Sequence, residues 1–296
     1  MTKTLLIINL TSGSELLKTK ATAITKKLVD NGHKVLRGFT KGKNSAKRIV
    51  EKYGSGMDLI ICCGGDGTLS EAVNGVVNIR YKGALGYIPA GTTNDFAHSV
   101  GLSTDIGKNL DGVMRGIAYP FDIGKFQQAH FIYTASFGLF TKSAYATPRK
   151  MKKMLGHLAY MIEGSKEFKS LKSYHVKAVD DRGRVYEDDY LFGAVSNSTC
   201  LGGLVHLDEN FVDYNDGLFE VLLIKFPKTF AEFVKTANAI ATNDFSDKSI
   251  TLFQTKSITF FCDKAMPWTL DGEYHEGCSK INVENQMGLI NLVYPK

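Results

Sequence analysis

The segment Gly64-Gly65-Asp66-Gly67-Thr68 constrains this chain more than any other stretch. It follows Asp58-Leu59-Ile60-Ile61-Cys62-Cys63, an apolar run without alternation, as expected of a strand buried on both faces. It precedes a helical stretch from Thr68 to Val77. Three glycines at a strand-to-helix junction let backbone approach phosphate oxygens with no Cβ in the way, and the helix N-terminus adds oriented N–H donors. An acid inside a phosphate loop repels its ligand unless it faces a cation, which gives Asp66 a role toward Mg²⁺, directly or through water. The plainer alternative is a tight turn in which glycine supplies the geometry and Asp66 a cap.

A second loop of this kind follows the next strand. Ile88-Pro89-Ala90-Gly91-Thr92-Thr93-Asn94-Asp95 offers a close-approach glycine and a hydroxyl at Thr92, with Asn94-Asp95 placed to cap the helix after it. The surrounding pattern alternates. Strands read over Leu5–Ile8, His33–Phe39, Asp58–Cys63 and Ala84–Ile88 are separated by helices over Glu15–Asp30, Ser45–Tyr53 and Thr68–Val77. Strands and helices in turn, with glycine-rich turns after strands, argue for a parallel sheet covered on both sides, where two such loops converge on one crevice.

Beyond Phe121 the pattern changes to short β-rich runs: Phe131–Phe137, Ser173–Val179, Tyr190–Val195, Leu218–Ile224, Ser257–Phe261 and Lys280–Val283, with Leu289–Tyr294 as a last strand. These predict an antiparallel β domain. A helix is expected from Arg149 to Lys172, with Arg149, Lys150, Lys152 and Lys153 at its start. It reads as a core helix with a solvated basic end, or as one whose basic end rests on anionic lipid.

Composition removes several classes. Forty-four per cent hydrophobic and 22 per cent charged residues are ordinary for a globular chain, so neither disorder nor a fibrous class is suggested. Five cysteines without C-x-x-C spacing point to a reduced, cytoplasmic protein. Apolar runs are too short or too polar for a membrane span, so membrane contact would be peripheral and transient. Net charge is +6, yet residues 1–52 hold twelve Lys/Arg against three acids. Such a face suits nucleotide phosphates, anionic headgroups or nucleic acid alike. No aromatic-interleaved basic motif or zinc pattern supports the last, and His98, His130, His157 and His206 have no metal-ligand spacing.

GGDGTLSEAVNG (Gly64 to Gly75) followed by PAGTTNDFA (Pro89 to Ala97) resembles the catalytic domain of diacylglycerol kinases and their bacterial soluble relatives. FDIGK (Phe121 to Lys125), NDGLFEV (Asn215 to Val221) and LDGE (Leu270 to Glu273) extend the likeness over nearly the whole chain. The resemblance implies an α/β plus β fold. Residues 1–122 would form a doubly wound parallel nucleotide-binding domain completed by the last strand, 289–296, and residues 123–288 an antiparallel β-sandwich for the lipid.

It also implies the site. Asn9, Leu10, Thr11, Ser12 and Gly13 resemble the family's first nucleotide loop, with Leu10 in place of its usual proline. Thr40, the run Gly65, Asp66, Gly67, Thr68, Leu69, Ser70 and Glu71, and Thr92 would complete the ATP site. Asp66, Asp95 and Asp122 look like the family's aspartate and Mg²⁺ network around the phosphates. Glu273 is the implied catalytic base and Asp271 its close partner, although a β-turn bearing two solvated acids explains the spacing equally well. Asp213, Asp216 and the Leu218 carbonyl resemble a second, structural Mg²⁺ site of bacterial members, where a plain Asn-Asp-Gly hairpin is the alternative. The Ser196–Ser198 and Gly202-Gly203 segment departs from the family's N-x-x-x-x-G-G-G.

What this implies is transfer of the ATP γ-phosphate to the hydroxyl of a membrane lipid by a homodimeric, peripheral kinase. Diacylglycerol is the expected acceptor, and sphingosine, ceramide, phosphatidylglycerol and undecaprenol remain open. An NAD-kinase-like or phosphofructokinase-like soluble kinase shares the glycine-rich aspartate loop but not PAGTTNDF or FDIGK. A catalytically silent nucleotide-binding regulator is disfavoured by the intact acids. No lysine-bearing Walker loop follows the first strand.

Overall fold

The computed structural model describes residues 1–9, 14–139, 168, 171–201, 205–208, 211–262 and 266–295. The first loop at 10–13, most of the helix expected over 149–172, and Gly202-Gly203 lie outside the described residues. The chain is a mixed α/β protein of two compact units, Met1–Ile123 with Met287–Lys296, and Gly124–Gln286.

In the first unit, strands β1 (Thr2–Ile8), β2 (His33–Phe39), β3 (Leu59–Gly64) and β4 (Ala84–Pro89) run parallel in the order β4-β3-β1-β2. The sheet buries apolar side chains on both faces, which is why β1 and β3 show no alternation. Leu6, Ile8, Leu59, Ile61, Cys63 and Ile88 share one core cluster with Ala21, Ile24 and Leu28 of helix α1 (Ser14–Asp30). Helices α2 (Ser45–Tyr53) and α3 (Asp66–Asn78) pack on each other so closely that a Cβ on Gly75 would stand 2.8 Å from Val50. Short α4 (Asp95–Ser99) and α5 (Ile106–Arg115) follow β4, and Leu110 and Val113 of α5 join the α1 cluster.

With β2 on one side of β1 and β3 on the other, the chain changes direction between β1 and β3. The crevice beyond their carboxyl ends is where parallel sheets bind ligands. Asn9, Thr40, Gly65 and Ala90 each follow one of these four strand ends.

Strand β5 (Ala118–Phe126) carries the chain into the second unit. There β6 (Ala129–Phe131), β7 (Thr134–Gly138), β8 (Tyr174–Asp180), β9 (Val185–Ser196), β10 (Cys200–Leu201), β11 (Val205–His206) and β12 (Phe219–Lys225) are followed by helix α6 (Phe230–Thr242). Strands β13 (Ile250–Thr255), β14 (Ser257–Cys262), β15 (Trp268–Leu270), β16 (Glu273–His275) and β17 (Lys280–Val293) complete it. Pairing is antiparallel, in the order β16-β15-β7-β9-β8-β14-β17, with β12 between β9 and β13. Alternation sorts the side chains of β12. Val221 and Leu223 join Phe137, Phe260 and Trp268, whereas Leu222 and Ile224 pack with Phe233 and Ile240 of α6.

The structure differs from the sequence pattern at several points. The runs at Lys280–Val283 and Leu289–Tyr294 belong to one strand, β17, whose polar middle from Glu284 to Met287 conceals its continuity. Its first half pairs antiparallel with β14 and its end pairs parallel with β4, so it contributes to each unit. The run Phe131–Phe137 is broken at Ile132-Tyr133, whose N–H groups donate to a carboxylate rather than to a ladder. Strands β5, β10, β11, β13, β15 and β16 and helices α5 and α6 have no counterpart in the sequence pattern. Asp122 lies within β5 and is fully buried.

Leu292 of β17 is fully buried opposite Leu85 of β4. Leu292→Ala should lower stability by about 2–5 kcal/mol through lost burial and a residual cavity. Urea unfolding followed by circular dichroism would show the lower midpoint at an unchanged slope.

Candidate active site

Asp66 opens α3 and is the hub of the first unit's loops. Its Oδ2 accepts the Asp95 N–H at 2.9 Å and the Thr93 hydroxyl at 3.4 Å, and its Oδ1 accepts the Phe96 N–H at 3.3 Å. Asp66 therefore caps α4 from a different loop. Asn94, placed by sequence to cap that helix, instead adopts a left-handed backbone and closes its own loop. Its amide donates to the Gly91 carbonyl at 3.0 Å, and its Oδ1 accepts the Gly91 N–H at 2.9 Å.

The two glycine loops touch through backbone. A Cβ on Gly91 would stand 2.6 Å from the Gly65 Cα, so no side chain fits there. The Ala90 N–H donates to the Gly64 carbonyl at 2.8 Å, and the Asn9 amide donates to the Thr68 hydroxyl at 2.7 Å. Three strand ends are thus joined into one framework of backbone donors. Thr40 is buried at the end of β2, its N–H donating to the Ile8 carbonyl, and Thr92 is exposed. Leu69 is fully buried on α3. The Glu71 carboxylate accepts the Asn44 and Ala46 N–H groups at 2.5 and 3.0 Å, so it fixes the start of α2.

Electrostatics make this framework unusual. Burial raises the Asp66 carboxyl above its ordinary value against the pull of its donors. Burial, reinforced by the Asp66 charge, raises Asp95 to about 6. Two acids are held where neither is well solvated and each disfavours the other's ionisation. A cation would relieve that conflict, and the pair fits a Mg²⁺ role on this observation. Asp122 lies in the same unit, next in sequence to Phe121, which packs edge-on against Phe96 at 5.7 Å. The Asp122 Oδ1 accepts the Gly288 N–H at 2.7 Å, which anchors the last part of β17.

Sequence reasoning missed Tyr87. It is fully buried on β4 beneath the loops, and its phenol is pushed well above its ordinary value by burial and by the Asp66 charge. Its hydroxyl also reaches Asn94 Oδ1 at 3.5 Å. The only signal was a tyrosine inside an otherwise apolar strand.

In the second unit, β15 and β16 form a hairpin turning at Asp271 (φ 48°) and Gly272 (φ 82°), the paired positive angles of a type I′ turn. The two acids flanking this glycine differ sharply. Asp271 is 3 per cent exposed, and its oxygens accept the N–H groups of Ile132, Tyr133 and Thr134 at 2.9, 3.0 and 3.3 Å. Glu273 is exposed on β16.

The Asp213 Oδ1 accepts the Asn215 N–H at 3.0 Å, and the Asp216 Oδ1 accepts the Leu218 N–H at 2.8 Å. The Leu218 carbonyl accepts the Asn285 amide at 2.9 Å. Burial and the Asp213 charge raise Asp216. Glu220 lies two residues beyond Leu218, 1 per cent exposed, raised to about 8 chiefly by burial, with Oε2 lacking a hydrogen-bond partner. An unsatisfied buried oxygen within the field of Asp216 fits a bound cation, though no cluster of three His, Cys, Asp or Glu side chains is assembled among the described residues.

Residues 3–126 match the diacylglycerol kinase catalytic domain. A Bacillus subtilis (strain 168) diacylglycerol kinase is 33 per cent identical over 277 residues, covering 93 per cent of this chain and 90 per cent of the relative. A Staphylococcus carnosus (strain TM300) diacylglycerol kinase is 28 per cent identical over 275 residues, with 91 and 88 per cent covered. A crystal structure of a diacylglycerol kinase from Bacillus anthracis str. Sterne shares the fold, with a TM-score of 0.75 at 24 per cent identity, covering 99 per cent of this chain and 97 per cent of that one.

Asp271→Ala leaves three backbone N–H groups without an acceptor and should cost about 3–5 kcal/mol, whereas Glu273→Gln at an exposed position should stay within about 0.5 kcal/mol. Paired thermal denaturation curves check both. Asp95→Asn should stabilise the metal-free protein. A carboxyl raised to about 6 in the folded state disfavours folding increasingly as pH climbs from its unfolded value, and fully above 6. The gain should be absent near pH 4 and reach the order of 2 kcal/mol at pH 8.

Proposed function

Because the chain belongs to the diacylglycerol kinase family, we propose that it is an ATP-dependent lipid kinase that phosphorylates the hydroxyl of diacylglycerol to phosphatidic acid. The observation that carries this reading is the Asp66 clamp: two glycine loops locked together at the carboxyl edge of a parallel sheet, around a pair of acids that repel each other. A binding module has no need of such an arrangement. A triphosphate with a divalent cation satisfies both the backbone donors and the acids.

The phosphate oxygens of ATP would accept hydrogen bonds from the loop N–H groups near Gly65 to Thr68 and from the hydroxyl of Thr92. Asn9 and Thr40 lie at adjacent strand ends, where they would frame the nucleotide. Asp66 and Asp95, with Asp122 behind them, would hold Mg²⁺, which when bound neutralises phosphate charge. Asp213, Asp216 and the Leu218 carbonyl would hold a second, structural Mg²⁺.

The chemistry is an in-line displacement. The bond between the γ-phosphorus and the ADP oxygen breaks, a bond to the acceptor oxygen forms, and the acceptor's proton goes to Glu273. Asp271 would support that role as a partner of Glu273 through the hairpin. Its carboxylate is committed to three N–H donors, and it positions the hairpin that carries Glu273. Among the described residues no helix is long and apolar enough to cross a membrane. The lipid would therefore be met at the membrane surface by a peripheral, cytoplasmic enzyme.

The test is transfer of radiolabelled γ-phosphate from ATP to a panel of lipids in mixed micelles. Label should enter diacylglycerol in preference to sphingosine, ceramide, phosphatidylglycerol and undecaprenol. Glu273→Gln should lower kcat by about 10²–10⁴-fold with nucleotide affinity retained. Label in no lipid, or near-normal turnover by Glu273→Gln, would overturn the reading or the base assignment respectively.

A further inference from the structure

Beneath the two glycine loops lies a hydroxyl that neither loop supplies. Tyr87 is fully buried on β4, opposite Cys62 of β3. The two strands are otherwise apolar around it, with Leu59, Ile60, Ile61, Leu85 and Ile88 buried alongside. A phenol in such surroundings loses its water and destabilises the fold unless its proton finds an acceptor. Phenylalanine would fill the same volume without that cost, so the hydroxyl has to be explained by what it bonds.

It reaches two acceptors, one from each loop. It donates to Asn94 Oδ1 at 3.5 Å, a long bond to an oxygen that already accepts the Gly91 N–H at 2.9 Å. It also lies within hydrogen-bonding reach of the Asp66 carboxylate. The hydroxyl has one proton to give, and a charged oxygen is the stronger acceptor of the two. The ring is held in place for that bond. It packs tilted against Phe96 at 6.0 Å, Phe96 packs edge-on against Phe121 at 5.7 Å, and Phe121 packs edge-on against Tyr294 at 5.8 Å. Phe96 is also the residue whose N–H donates to Asp66 Oδ1. The backbone donors reach Asp66 from the loop after β4, and the phenol reaches it from the strand beneath.

We propose that Tyr87 is a positioning residue for Mg²⁺: its hydroxyl fixes the orientation of the Asp66 carboxylate toward the cation, without itself touching cation or nucleotide. The inference rests on the reading that this site takes ATP with Mg²⁺, and it adds the group that sets how firmly the cation is held. Losing the hydroxyl should therefore weaken the cation's contribution to nucleotide binding and leave the contribution of the loop N–H groups in place.

The experiment compares the full chain with Tyr87→Phe, which keeps the ring, and with Tyr87→Leu, a second variant without the hydroxyl should the first fold poorly. Thermal denaturation in EDTA shows which variants are folded. The dissociation constant of ADP is measured by equilibrium dialysis, once in EDTA and once with Mg²⁺, and the ratio of the two is the cation's contribution. In the parent Mg²⁺ should tighten ADP binding. In the folded variants that ratio should shrink at least about tenfold, the worth of one hydrogen bond to a charged group, while binding in EDTA stays within about twofold of the parent's. In γ-phosphate transfer the half-saturating Mg²⁺ concentration should rise in parallel, with kcat recovering once Mg²⁺ saturates. A folded variant that keeps the parent's ratio would overturn the proposal. Equal weakening with and without Mg²⁺ would also overturn it, by making Tyr87 a support of the loops alone. A parent whose ADP affinity ignores Mg²⁺ would show the separate failure of the ATP and Mg²⁺ reading, and the proposal would fall with it.

Discussion

The framework of the two glycine loops depends on one carboxylate. Asp66 comes from the loop after β3, yet the groups it satisfies belong to the loop after β4: the N–H groups of Asp95 and Phe96. Helix α4 has only five residues, too few to hold itself by its own hydrogen bonds. Its position is set by a cap that arrives from a neighbouring strand. The Gly65–Gly91 backbone contact is the steric counterpart of that bond, and the Asn94 side chain closes the second loop behind it. Two loops 27 residues apart in sequence thereby act as one rigid surface of N–H donors.

This arrangement is costly to the empty protein. The charge that caps α4 is the same charge that reinforces the rise in Asp95, and Tyr87 sits beneath both with its phenol kept protonated. A sequence selected for stability alone would place an amide or a hydroxyl at one of these positions. Retaining two poorly solvated acids makes sense when their conflict is resolved by something that binds, which is how sites with shifted acidities separate from ordinary surface.

What the sequence revealed follows from the physics of each half. In the parallel unit the central strands carry solid apolar runs, and Asn9 and Gly64 mark the ends of β1 and β3, so β2 and α2 are legible to their end residues and β1, β3 and β4 nearly so. In the second unit apolar residues fall on both faces of β9 and β12, which hides alternation, and α6 is a short helix among strands that its Thr229 cap alone marks. Strand β17 is concealed by its polar middle. The candidate site shows the same division. Loops whose function lies in backbone geometry announce themselves through glycine. Asp122 and Tyr87 act through burial inside strands, and burial has no local signature.

The hairpin at Asp271-Gly272-Glu273 shows why spacing alone could not separate its two acids. A type I′ turn needs positive φ at both central positions, and Asp is among the few residues with a side chain that tolerate it. Asp271 is thus suited to its place twice over, by backbone and by the three N–H groups its carboxylate accepts. Those bonds break the run Phe131–Phe137 into two strands and fix Thr134, which opens β7, the partner of β15. A carboxylate so engaged has little access to solvent. Glu273, on the strand that the turn projects, is exposed. The turn makes one acid part of the scaffold and leaves the other at the surface.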